Sequence, residues 1–195
     1  MRIRFLALLL VAAALAPVYA QDGLSAVEYS DYEKGDGIFS LNLGTNIPLG
    51  FYDPTQPGLV GPNSTLGFAF GLSYLGFLDE HWALGGDAGG AFITTLAERR
   101  LFLAPISFKA AYAINLSPIS ILPTIGVGMA ISSLSDYKHI DPLFKLGSSF
   151  LWRYNSDVSY GLHLFADIIP QFYEDSTQNR VGFFMEATLS VSYHL

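Results

Sequence analysis

Six charged side chains and one histidine stand where charge is costly. Asp87, Lys109, Lys145, Arg153, Asp167 and Glu186, together with His163, lie in segments where every second residue is apolar, and each sits on the polar face of its segment. Three acids face three bases, and charge is tolerable in an interior only when partners compensate it. Depth can be counted from the nearest Trp or Tyr. Lys145 is seven residues from Trp152, Asp167 seven from Tyr160 and Glu186 seven from Tyr193. If these segments are neighbouring strands, the three side chains meet at one level, with Lys145 between the two acids. Asp87 is five residues from Trp82 and Lys109 three from Tyr112, again on neighbouring segments, so these two should pair. Such a network would plug an interior as a set of salt bridges. A gate or a polar binding site is the alternative use of the same charges.

The elements that must position these groups are strands. From Val181 the chain alternates Val181, Phe183, Met185, Ala187, Leu189, Val191, Tyr193 and Leu195 with Gly182, Phe184, Glu186, Thr188, Ser190, Ser192 and His194. A strand sends successive side chains to opposite faces, so one face of this segment is apolar and the other mostly polar or small. The pattern is far longer than a typical strand of about 5–6 residues. It recurs, giving strands at about 38–51, 64–77, 81–95, 100–115, 120–132, 143–155, 158–172 and 180–195. None of the eight apolar faces carries Asp, Glu, Lys, Arg or His. A Lys or Arg on the lipid face of a membrane barrel costs about 2–4 kcal/mol at mid-bilayer, so charge-free faces are what facing lipid demands. The opposite faces are rich in Gly, Ser, Ala and Thr, which suits the narrow interior of an eight-stranded barrel. A soluble lipocalin-like barrel would instead turn a strongly charged face to water. The fold class that follows is all-β, a closed eight-stranded antiparallel up-and-down transmembrane β-barrel.

Composition agrees with an exported protein. Arg2 and Arg4, the apolar run Phe5 to Leu15, and Val18-Tyr19-Ala20 have the order of a secretory signal over 1–20. Without Arg2 and Arg4 the remaining chain has eight basic and seventeen acidic residues, a net charge of −9, which argues against nucleic acid as a partner. There is no cysteine, so disulfides and thiolate metal sites are excluded. Residues 21–37 form a short acidic segment, expected as a solvated periplasmic tail, and 38–195 form the barrel. No catalytic residue, metal or cofactor is expected.

Aromatic residues set an orientation. Tyr74, Trp82, Tyr112, Trp152, Tyr154, Tyr160 and Tyr193 gather at one rim if the strands alternate in direction, forming an aromatic girdle at a membrane interface. The other rim carries Phe51, Phe92, Phe102, Phe144, Phe172 and Phe183. Both chain ends lie at the Trp/Tyr rim, taken as periplasmic, where the links are short. The links at the other rim, Tyr52 to Asn63, Leu96 to Arg99, Ser133 to Pro142 and Tyr173 to Asn179, are mostly longer, as extracellular loops are. Pro48, Pro105, Pro123 and Pro170 each remove a ladder donor and should mark bulges or rims.

The strand count, the alternation over 38–195 and the terminal strand resemble the small eight-stranded outer-membrane proteins of the OmpA/OmpX/OmpW-like group. In that group the final strand is an assembly signal of alternating apolar residues. Leu189, Val191 and Tyr193 match it, and Leu195 stands where an aromatic residue is usual. The resemblance implies a bacterial outer-membrane location, outer-membrane lipids as surroundings, insertion by the barrel assembly machinery and a monomer. It implies a structural or surface role, with passage of small hydrophobic molecules as the OmpW-like alternative. Lipid A-modifying barrels are the enzymatic alternative. Their deacylase type places His and Ser two apart on one strand, whereas His163 is followed at that spacing by Phe165.

Overall fold

The computed structural model describes residues 31–55, 58–95, 99–134, 137–173 and 179–195. The expected export signal, most of the acidic segment before Asp31, and parts of four links lie outside the described residues. Eight long strands form the wall: β1 (Gly37–Tyr52), β2 (Gly67–Phe77), β3 (Trp82–Thr94), β4 (Arg100–Tyr112), β5 (Ile119–Leu134), β6 (Tyr137–Arg153), β7 (Val158–Gln171) and β8 (Arg180–His194). Each pairs antiparallel with its neighbours in sequence, and β8 returns to β1 in a register running from Ile38↔His194 to Tyr52↔Val181. Closure leaves the wall without an edge and satisfies its backbone groups internally, the condition for crossing lipid with strands. Leu59–Val60 folds back on β1, and Ile114–Leu116 extends the β4 side of β5. No helix among the described residues is long and apolar enough to span a membrane.

Alternation makes the outer surface a belt of large apolar side chains. Leu41, Leu43, Phe68, Leu72, Leu84, Ile125, Val127, Leu146 and Leu189 all stand exposed on it, and Phe108 is 78% exposed. The girdle residues share one rim, which also holds the start of β1 and the end of β8. There Trp82 meets Tyr112 at 5.2 Å between ring centroids, and Tyr160 meets Trp152 at 6.2 Å and Tyr154 at 5.9 Å.

Three of the four prolines sit at faults in the ladders, and the fourth, Pro170, sits near a strand end. The β1–β8 register shifts between Pro48 and Gly50. The β3–β4 pairing skips from Ala88↔Ile106 to Ala91↔Leu103 beside Pro105. The β4–β5 pairing stops at Ala111↔Thr124, next to Pro123, and Pro170 lies near the far end of β7. A proline offers no N–H to its partner strand, so ladders break or bulge there. Gly50, at φ +148°, is needed at the first fault, because a Cβ there would meet the carbonyl of Val60.

Two expectations need correction. Phe51 does not join the outer rim. The bulge at Pro48 to Gly50 changes the phase of the strand, and Phe51 turns toward the interior, edge-on to Phe184 at 6.1 Å. The link expected at Ser133 to Pro142 is largely strand, because β5 and β6 pair out to Leu134↔Tyr137. Ser132, Ser133, Lys138, His139 and Asp141 break the apolar alternation there. A hairpin that continues beyond the apolar belt has no need of that alternation; its backbone ladder is joined by polar contacts such as His139 Nδ1 to Asp141 Oδ1 at 2.8 Å.

The interior is layered. At the Trp/Tyr end, Ile38, Leu75, Phe77, Ala83, Ala111, Leu122 and Leu151 pack together. At the opposite end, Ala69, Ala91, Ile93, Leu103, Leu143, Ile169 and Phe184 form a second apolar cluster. Between the two lie the charged and hydroxyl side chains.

Candidate functional site

Register places the charged layer. Lys109 pairs with Gly126, Gly126 with Lys145, and Lys145 with Asp167, so four neighbouring strands contribute one row. Gly126 leaves room between the lysines, since a Cβ there would come within 3.2 Å of Lys109 and 3.4 Å of Lys145. Lys145 Nζ lies 3.1 Å from Glu186 Oε2, 3.3 Å from Asp87 Oδ2 and 3.6 Å from Asp167 Oδ1. Lys109 Nζ lies 3.3 Å from the same Asp87 oxygen. Ser107 donates to the other oxygen of Asp87 through a short hydrogen bond. The ring of Phe165 lies beside both ammonium groups, at 5.3 Å from Lys145 Nζ and 5.5 Å from Lys109 Nζ, a favourable placement for desolvated cations. Both lysines and Asp167 are buried.

The contact between Asp87 and Lys145 joins β3 to β6 across the lumen. Counting along neighbouring strands does not reveal it. Arg153, assigned to the same network by sequence, is elsewhere. It lies at the Trp/Tyr end, with its guanidinium carbon 4.3 Å from the centre of the Tyr32 ring. Tyr32 corrects another expectation. It belongs to the acidic segment expected to be solvated, yet it is 1% exposed and stacks on Phe77 at 4.0 Å. The segment is tied down by backbone hydrogen bonds from Gly35 N to Phe77 O and from Phe77 N to Asp36 O. An aromatic side chain five residues before the first strand has no periodic signal, so the sequence offered no reason to bury it.

His163 sits at the edge of the charged layer, its Nδ1 2.6 Å from Ser149 Oγ and its Nε2 2.7 Å from Ser190 Oγ. Ser190 continues to Ser192 at 3.3 Å, and Ser192 to Ser40 at 2.7 Å. The serine missing from β7 is thus supplied by neighbouring strands. The group on the second ring nitrogen is another hydroxyl rather than a carboxylate, and the whole chain of groups is buried. A nucleophile–base pair needs a third group that orients the base and a path for substrate. Ser149 and Ser190 satisfy the buried imidazole. Among the described residues no group of three or more His, Asp or Glu is arranged to hold a metal ion.

A closed eight-stranded wall, an outer apolar belt free of charge with an aromatic rim, and a charged layer in the interior define an outer-membrane β-barrel. The comparisons with known proteins agree. A protein-family model matches residues 19–193, and the chain belongs to that family. No curated protein matches it by sequence. Among solved structures it is similar to neisserial surface protein A, at 10% identity over 83% of this chain and 96% of that one, with a TM-score of 0.58. It is similar to the outer membrane protein OprG from Pseudomonas aeruginosa, at 10% identity over 86% and 99% of the two chains, with a TM-score of 0.50. It is also similar to Ail, the attachment invasion locus protein of Yersinia pestis, in complex with the heparin analogue sucrose octasulfate, at 12% identity over 83% and 99%, with a TM-score of 0.50. At these identities the likeness is one of fold. The chain is a small eight-stranded barrel of the bacterial outer membrane.

Proposed function

We propose that this barrel is a structural and surface-displaying component of the outer membrane, with a lumen sealed by its own side chains. The observation that carries the reading is the layering of the interior, a salt-bridged middle between two apolar clusters. Eight strands leave an interior just wide enough for side chains to fill. The Trp/Tyr rim, with the start of β1 and the end of β8, faces the periplasm, and the links after β1, β3, β5 and β7 face outward. The protein works as a monomer surrounded by outer-membrane lipids. Leu189, Val191, Tyr193 and Leu195, all exposed on the outer face of the last strand, serve as its signal to the barrel assembly machinery.

One observation favours a second reading, passage of small apolar molecules. The wall between β3 and β4 lacks pairs between Ala88↔Ile106 and Ala91↔Leu103, where Gly89 and Gly90 face Pro105 and its neighbour. A glycine-lined gap in the ladder is where a solute could pass sideways between lumen and lipid. Liposomes holding the purified protein separate the readings. A sealed structural barrel leaves them impermeable to small sugars and no faster in taking up an apolar solute than empty liposomes. Protein-dependent uptake of the apolar solute alone would favour passage, and swelling in sugar would overturn the seal. Neither reading involves a reaction at His163.

A further inference from the structure

Two cations stand on the lipid-facing side of the wall, both at the rim opposite the Trp/Tyr girdle. Arg100 lies on the outer face of β4 two residues beyond Phe102, and Lys138 on that of β6 two residues beyond Ile140, which is 66% exposed. Ser133 pairs with Phe102 on one side and with Lys138 on the other, so β5 alone separates the two cations. At about 4.8 Å per strand their backbones are about 10 Å apart across the sheet, and both long side chains can close on one group between them. Thr94 pairs with Arg100 from β3. Thr94, Arg100, Ser133 and Lys138 thus form one polar band over four consecutive strands. One step below it on each strand the apolar belt begins, with Phe92, Phe102, Ile131 and Ile140.

The band is uncompensated. Among the described residues neither cation has an acid within ion-pair distance, and the outer faces of β3 to β6 carry no acid. The rim elsewhere differs. Arg180 is engaged by Asp53, Nε to Oδ2 at 4.0 Å, and the chain around β7 and β8 meets this rim with Phe172 and Val181. The whole chain has a formal net charge of −7, so attraction for an anion is local to the band. Long cationic side chains at the end of an apolar face lay their stems along it and lift their charges to headgroup depth. Guanidinium and ammonium groups with hydroxyls beside them are donors suited to phosphate oxygens.

We propose that this band binds the phosphate groups of lipid A, the phosphorylated acyl-sugar of the outer leaflet. A zwitterionic phospholipid brings its own ammonium to its phosphate and compensates neither cation. A phosphorylated sugar without an amine compensates both, and its acyl chains lie along the belt below. The leaflet at this rim is the outer one in the orientation given above, and the binding rests on that orientation. It gives the barrel a defined lipid partner where lipid in general would only surround it.

The test uses the full protein folded in detergent micelles, with bound lipid read by native mass spectrometry. The lipids are lipid A, the same acyl-sugar stripped of its phosphates, and phosphatidylglycerol. Lipid A should be retained, the phosphate-free form should not, and lipid A should displace phosphatidylglycerol. Arg100→Gln and Lys138→Gln together should weaken lipid A binding by about tenfold or more, the scale of losing a hydrogen bond to a charged group. Arg180→Gln, at the same rim but held by Asp53, should leave binding unchanged. Heat-modifiable gel mobility checks folding, and should the double variant fail to fold, the two acyl-sugars compared on the wild type decide alone. Equal retention of the phosphate-free lipid or of phosphatidylglycerol would overturn the site. So would wild-type binding by the folded double variant, or an equal loss from Arg180→Gln. Orientation is read separately, because Thr55→Cys on the link after β1 should react with a membrane-impermeant maleimide on intact cells. Reaction only after lysis would overturn the orientation and the outer-leaflet partner together, whereas reaction on intact cells without lipid A selectivity would overturn the band alone.

Discussion

Lys145 is the residue on which the interior depends most, because one ammonium serves three carboxylates on three different strands. Breaking a buried pair by removing one partner typically costs about 3–5 kcal/mol, since the other charge is left uncompensated. Lys145→Met should therefore lower the stability of the folded barrel by about that much, measured by urea unfolding in lipid. Adding Glu186→Gln should restore part of the loss, and a double variant no better than the single one would count against the pairing. Asp79 offers a test at the exposed rim. Its carboxylate accepts hydrogen bonds from Trp82 N and His81 N, and these hold its pKa below the ordinary value. A depressed carboxylate stabilises the fold above its unfolded-state pKa, and the contribution is lost as pH falls through the folded-state value. Asp79→Ala should accordingly be less stable than wild type at neutral pH, with the gap narrowing in acid. A gap that is constant or widens in acid would contradict this. Much of the charged layer was legible in the sequence. Residues equally far from an interfacial aromatic on neighbouring strands share a depth, which brings Lys145, Asp167 and Glu186 to one level. The contact of Lys145 with Asp87 was not legible, because it crosses the lumen, and cross-lumen neighbours depend on how the whole wall closes.

The strands were the most legible elements, for alternation is imposed by lipid on one side and a crowded lumen on the other. Legibility failed where that pressure ends. The β5–β6 hairpin continues past the apolar belt, and Tyr32 caps the terminal end without belonging to any periodic segment. Inward-facing Leu75, Leu103, Leu122, Leu143, Leu151 and Phe184 were also missed as interior layers. Isolated apolar residues on a small-residue face carry no pattern of their own. Two predictions belong to this scale. Leu189, 47% exposed on the belt, should not tolerate charge. Leu189→Arg should cost about 2–4 kcal/mol, against about 0–1 kcal/mol for Tyr193→Arg at the rim. Folded fractions from heat-modifiable gel mobility would compare them, and equal costs would contradict the assigned depths. Tyr32→Ala should cost about 3 kcal/mol, the range for deleting a buried aromatic ring. Tyr32→Phe should be nearly neutral, because the Tyr32 hydroxyl has no hydrogen-bond partner among the described residues.

For the molecule as a whole, the wall and the filling answer different demands. The wall satisfies the backbone in lipid by closing β8 on β1. The filling must satisfy side chains in a space too narrow for bulk water, and it does so with an ion-paired layer between two apolar ones. The reading of the protein as a sealed barrel rests on that filling. The measurement that tests it most directly is current through a planar bilayer containing the purified wild-type protein at high salt. The sealed lumen predicts no stable ohmic steps above the bare membrane. It also predicts that they emerge when the apolar layers are opened by combined alanine substitution of Leu75, Leu122 and Leu151 at one end and Leu103, Leu143 and Phe184 at the other. Large, stable ohmic conductance from the wild type would contradict it.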